Sequence, residues 1–225
     1  MSTTTTPETT FTPTTATAVL NFWFTTTPLH PTLESFKRWF QPDPAFDSSC
    51  RETYLPLITT LSHLPPSELH SLATTPEEAL SLILLLDQLP RNIHRADSSS
   101  VYNVTDPLAL SLARIATAPE RRFDLGPELA WKGVPSRRCW FYLPFGHSED
   151  LADHEFLKGL HAEMRRDCEG GEGEGFAKAI EGFSDAHTEV IAKFGRYPYR
   201  NAVLGRENTK EEVEWLEGEK VAWAR

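Results

Sequence analysis

Twice in this chain a proline is followed closely by arginine and asparagine: Pro90-Arg91-Asn92, and Pro198-Tyr199-Arg200-Asn201. Asp87, Gln88 and Arg95 flank the first motif, and Arg196 and Arg206 flank the second. These are five arginines in a chain whose net charge is −10. A guanidinium presents a planar fork of donors that matches a carboxylate or phosphate in two parallel hydrogen bonds. The pattern therefore predicts a site for a small anionic ligand, lined by Gln88, Arg91, Asn92, Arg95, Arg196, Arg200, Asn201 and Arg206. The competing reading is internal. Asp87, Glu149 and Asp150 would pair with the arginines, as buried polar groups require, leaving about two guanidinium groups without a partner.

Acid–base chemistry needs a group that titrates near neutrality or a carboxylate beside one. Asp87, His147 and His187 are the candidates. His147 belongs to a third motif, LPFGHSEDL at residues 143–151, where Ser148 reads as a helix cap and Glu149 and Asp150 as first-turn acids that suit the helix dipole. They could also serve the ligand. His187 shares a helix face with Ile191 and Phe194, where a hydrogen-bonded core histidine is commoner than a ligating one. His147, His154 and His161 recur every seven residues. On one helix that spacing is roughly 10 Å, too far for one metal ion, so no metal site is expected and the series reads as coincidence. Neither a phosphate loop nor a dinucleotide or metalloprotease motif occurs, and no cofactor is expected.

The elements that must carry these residues read as helices. In TPEEALSLILLL, Thr75 and Glu78 form a capping box around Pro76, and the apolar run that follows belongs at the centre of the fold. Pro90 interrupts that run. Since Leu89 is a poor cap, a kinked but continuous helix is favoured, which sets Asp87, Arg91 and Arg95 along one face. Thr105 or Asp106 reads as the cap of the next helix, with Pro107 just inside. A later helix is expected from Ser184 to Gly195, and Thr209 with Glu212 makes another capping box. VLNFWF and FKRWF are short aromatic elements. Strand alternation is lacking, so the fold class is all-α, with about eight to ten helices packed as hairpins.

The length suits one domain. The threonine-rich residues 1–17 read as a disordered tail and residues 18–225 as a single all-α domain. The acidic balance argues against nucleic acid as a partner. The longest aliphatic run is far too short to span a bilayer. Cys50, Cys139 and Cys168 are scattered and odd in number, which points to a reducing, cytoplasmic setting.

VLNFWF, LILLLDQLPRNIHR, DPLALSLA, LPFGHSEDL and IAKFGRYPYRNAVLGR, in this order, resemble the family called domain of unknown function 924 over roughly residues 18–217. The resemblance implies an all-α, tetratricopeptide-like superhelix and no established activity. It carries over at Asp87, Gln88, Arg91, Asn92, His147, Glu149, Asp150, His187, Arg196, Arg200, Asn201 and Arg206. Tyr199 stands where the family commonly has histidine, and His94 where it has tyrosine. Two functions follow as expectations: a pocket for a small anionic ligand with catalytic potential, or a peptide-binding interaction module without catalysis.

Overall fold

The computed structural model describes residues 9–25, 29–31 and 39–218, and it is helical with no strand among them. In chain order the helices are α1 (Pro13–Phe24), α2 (Pro44–Ser62), α3 (Pro66–Ser71), α4 (Pro76–Ile83), α5 (Leu89–Ile93), α6 (Asp106–Thr117), α7 (Pro135–His147), α8 (Leu151–Cys168), α9 (Glu174–Phe194) and α10 (Lys210–Glu217). None is long and apolar enough to cross a membrane.

The centre is α4 and its continuation. Leu80, Leu82, Ile83, Leu84, Leu85, Leu86 and Leu89 are all fully buried, each contributing about 1.5–3 kcal/mol relative to exposure. Helices α1, α6 and α7 pack around this axis, and α2 packs on α5. Trp23 and Trp39 stack on each other and Trp140 meets both edge-on, closing one side. The capping box of Thr75 and Glu78 forms at the start of α4, and that of Thr209 and Glu212 at the start of α10.

Several boundaries differ from the sequence reading, each for a local reason. The chain is helical from Pro13, not disordered to residue 17, because Thr12 and Thr15 cap each other reciprocally and Val19 and Trp23 bury against the core. Residues 1–8 of that stretch, and Phe36 to Arg38 of FKRWF, lie outside the described residues. Helix α9 starts at Glu174, ten residues before Ser184, since Phe176, Ala177 and Ile180 already supply a buried face. Asp150, not Ser148, caps α8, and Ser148 instead donates to Asp153 at 2.6 Å.

At Pro90 the helix runs on, but it widens. Residues Leu84–Gln88 form a π turn in which Leu89 N–H reaches back five residues to the Leu84 carbonyl. The extra residue gives the proline ring room that an α turn lacks. A second π turn, Val101–Thr105, precedes Asp106-Pro107 in the same way, with Asp106 N–H bonded to Val101. The two π turns pack against each other.

Candidate functional site

The first π turn delivers Asp87 and the second delivers Asp106, and Arg91 joins them. Arg91 donates from Nη1 to Asp106 Oδ1 at 2.6 Å and from Nη2 to Oδ2 at 2.9 Å. Its Nη1 also donates to the Asp87 carbonyl at 2.6 Å and lies 3.4 Å from Asp87 Oδ1. Asp106 therefore caps nothing, because its carboxylate is spent on Arg91. Asp87 is wholly buried. Burial alone would raise its pKa, but His147 and Arg91 overcome that and hold it at about 2. Gln88 donates its amide to the same carboxylate.

His147 ends α7, where Pro144 and Gly146 are buried behind it. Its Nδ1 lies 2.7 Å from Asp87 Oδ1. An ionised carboxylate can only accept, so Nδ1 is the donor in this contact. The side chain is partly open to solvent.

Arg200 reaches the cluster from the turn Pro198–Arg200, which follows α9. Gly195 makes that approach possible: at φ +66 it ends α9 in a left-handed turn. Tyr197 then anchors the segment, its hydroxyl donating to the Gly146 carbonyl and its N–H to Glu149 Oε1. The Arg200 guanidinium carbon lies 4.5 Å from the Tyr102 ring centroid and 4.6 Å from that of Tyr197. Its Nη2 stands 3.8 Å from Asp106 Oδ2, an ion pair without hydrogen-bond contact. Although Arg200 is only 4% exposed, its Nε and Nη2 have no hydrogen-bond acceptor. Burial would lower its pKa, but Tyr199 and Asp106 outweigh it and the group stays charged.

His187, on α9, meets the same Tyr197 ring edge-on at 5.9 Å, and its Nδ1 lies 2.8 Å from the Phe183 carbonyl. Burial pushes its pKa down to about 4, with the Arg200 charge acting in the same direction. It is neutral at physiological pH. Asp87, Arg91, His147, His187 and Arg200 thus meet in one neighbourhood, with half-buried Tyr102, His147, His187 and Tyr199 around a buried floor.

The other candidates go elsewhere. Arg95 bonds Asp47 and Asn92, and Asn92 also bonds the Gln88 carbonyl. Arg196 forks onto Glu212, the capping-box partner of Thr209 in α10. Arg206 forks onto Glu149, so Glu149 is a loop residue holding the Tyr197 segment and not a first-turn acid. Asn201 donates to Asn208. Asp150 serves α8 as its cap. His154 and His161 bond Thr188 and Ser184 of α9, so their seven-residue spacing is the stripe along which α8 meets α9.

Asp106, Tyr102 and Tyr197 escaped the sequence reading. Asp-Pro reads as a helix start, and only its parallel with Leu89-Pro90 hints at a second widened turn. Asp87, Asp106 and His147 place ligand-type atoms within 4.8 Å of one another. Arg91 already supplies the positive charge there, so a divalent ion would have to displace it. Two clefts, of about 370 and 350 Å3, lie away from this cluster: one on α8 and α9 among Arg165, Arg166 and Lys178, the other between α1 and α7.

A family model described as "Bacterial protein of unknown function (DUF924)" matches residues 19–220. Among solved structures, a protein of unknown function, ATU0120 from Agrobacterium tumefaciens, is 30% identical in sequence, with a TM-score of 0.71 over 92% of this chain and 99% of its own. No curated protein matches the chain.

Proposed function

The chain belongs to the bacterial family of unknown function DUF924, and on that footing we propose that it binds a small carboxylate or phosphate at Arg200 and moves a proton on it through the Asp87–His147 pair. One observation carries the reading. Of the five arginines in the two motifs, Arg200 alone has no carboxylate in hydrogen-bond contact, and its charge is nevertheless buried. A desolvated guanidinium with open donors is costly unless something fills them. A ligand oxygen would do so, while the flanking tyrosine faces hold the fork in place.

His147 stands next to this position with Nε2 available. Asp87 fixes the ring and its tautomer, and it would stabilise the imidazolium once Nε2 takes a proton. His187, being neutral, adds a polar wall without adding charge. Access requires the half-buried rim of Tyr102, His147, His187 and Tyr199 to part. The rival reading, an interaction module, rests on the helical-hairpin resemblance. The exposed large apolar side chains do not favour it, since Val104, Leu129, Phe156, Phe183 and Val203 are scattered over different helices and loops.

Titration with inorganic phosphate and with malonate, followed by melting temperature and calorimetry, tests the proposal. The unaltered protein should be stabilised by at least one of the two anions, and Arg200→Gln should lose that response while still melting cooperatively. An equal response in both proteins, or none in either, would reject it.

A further inference from the structure

A second lone arginine lies at the opposite end of α7 from His147. Arg137, in the first turn of α7, sits over the Phe24 ring with its guanidinium carbon 3.5 Å from the centroid. Adjacent Arg138 donates to Asp167 and the Lys132 carbonyl and lies near Asp124. Arg137 has no such partner: among the described residues no carboxylate pairs with it. The first turn of α7 also lacks an acid and a side-chain cap.

Arg137 faces a cleft of about 350 Å3 whose other walls are Leu20, Asn21, Phe24, Thr25, Leu80 and Trp131. The Trp131 wall is closely packed. Its ring lies against Gly126, where a Cβ would come within 2.5 Å of Trp131 Cδ2, and Gly126 also holds φ +77. An apolar cleft of this size with one convergent charge has the make-up of a small-ligand site. We propose that this cleft binds a carboxylate carried on an aromatic or branched apolar body, with Arg137 gripping the carboxylate and Trp131, Phe24 and Leu20 enclosing the body.

The chemistry follows from what each wall offers. A guanidinium already stacked on one aromatic face keeps its edge free, and that edge carries the forked donors a carboxylate matches. Burial draws the Arg137 pKa below the ordinary arginine value, and an arriving anion would reverse that penalty. An inorganic anion would leave the apolar walls wet, whereas a hydrocarbon alone would leave the charge unpaired. The proposal is independent of Arg200, which lies in the other cluster.

The test is calorimetric titration with 3-phenylpropionate and its neutral amide, 3-phenylpropionamide. The acid should bind roughly tenfold or more tightly than the amide, as expected for one charge-assisted contact. Arg137→Gln should erase that preference. Asn21→Trp, at an exposed position on the rim, should weaken both ligands by filling the cleft, which keeps the test open if Arg137→Gln melts early. Arg165→Gln, in the other cleft, should leave the preference in place. Equal affinity for acid and amide, a preference that survives Arg137→Gln, or no binding of either compound at millimolar concentration would each overturn the proposal.

Discussion

Asp87 and Arg91 show what a single buried charge demands. Neither tolerates the loss of the other, because Asp87 is wholly buried and Arg91 is the cation that also neutralises Asp106. Arg91→Met should therefore lower stability by about 3–5 kcal/mol, the usual cost of stranding buried carboxylates. Arg95→Met, which frees a carboxylate that solvent can reach, should cost about 1 kcal/mol or less. Urea melts of the two variants decide the matter, and equal losses would refute the distinction. His147 offers a sharper readout. With Asp87 ionised well below neutrality, the His147 nitrogen facing it, Nδ1, must carry a proton. Nitrogen NMR should report that tautomer, and Asp87→Asn, whose amide can donate, should release it. At this scale the sequence was informative about Asp87, Arg91, His147 and Arg200, because arginine beside proline and asparagine is unusual in an acidic chain. It said little about which arginines were already engaged. Nothing in the sequence ties Asp47 to Arg95 or Glu212 to Arg196, whereas Glu149, expected to pair with an arginine, does so with Arg206.

Helix ends were legible wherever the signal was local. Thr75 with Glu78 and Thr209 with Glu212 are four-residue patterns, and Gly195 is a one-residue stop. The π turns were not legible, because a turn widened by one residue has no composition of its own. Their trace is only a proline two residues beyond, at Pro90 and Pro107. Both turns matter to the cluster, since each rotates an acid toward Arg91. Gly195 matters equally, because the chain must reverse there for Tyr197 and Arg200 to reach α7. A side chain at φ +66 pays the left-handed penalty, and no neighbour crowds the added Cβ. Gly195→Ala should accordingly lower stability by about 1 kcal/mol. A loss much larger than that, measured by denaturant unfolding, would show that the turn bears more than backbone strain.

The whole molecule carries a pH dependence that no single motif displays. His161 joins α8 to α9 through Ser184, packs edge-on to Tyr142 and is nearly wholly buried. Burial, with Arg138 acting in the same direction, pushes its pKa down from 6.5 to about 4, and His187 is pushed to about 4 as well. In the folded chain both rings stay neutral between those values, while in the unfolded chain they take up protons as pH falls below 6.5. The unfolded state therefore binds more protons across this window, and stability declines as pH drops from 6.5 to 4. For His161 the loss amounts to about 3 kcal/mol. Below it a second window opens, since Asp87 protonates at about 3.8 when unfolded but only near 2 when folded, so its contribution also fades with acid. This two-stage decline depends on the packing of α8 on α9 together with the Asp87–His147 pair, which is why the seven-residue histidine spacing looked accidental in the sequence. His161→Gln keeps a polar group facing Ser184 but cannot titrate. It should reduce the slope of unfolding free energy against pH in the upper window by up to about 1.4 kcal/mol per pH unit, one proton's worth, and leave the lower window unchanged. An unaltered slope between pH 6.5 and 4 would mean that His161 titrates in the folded chain as it does in water, and that the α8–α9 interface is open to solvent.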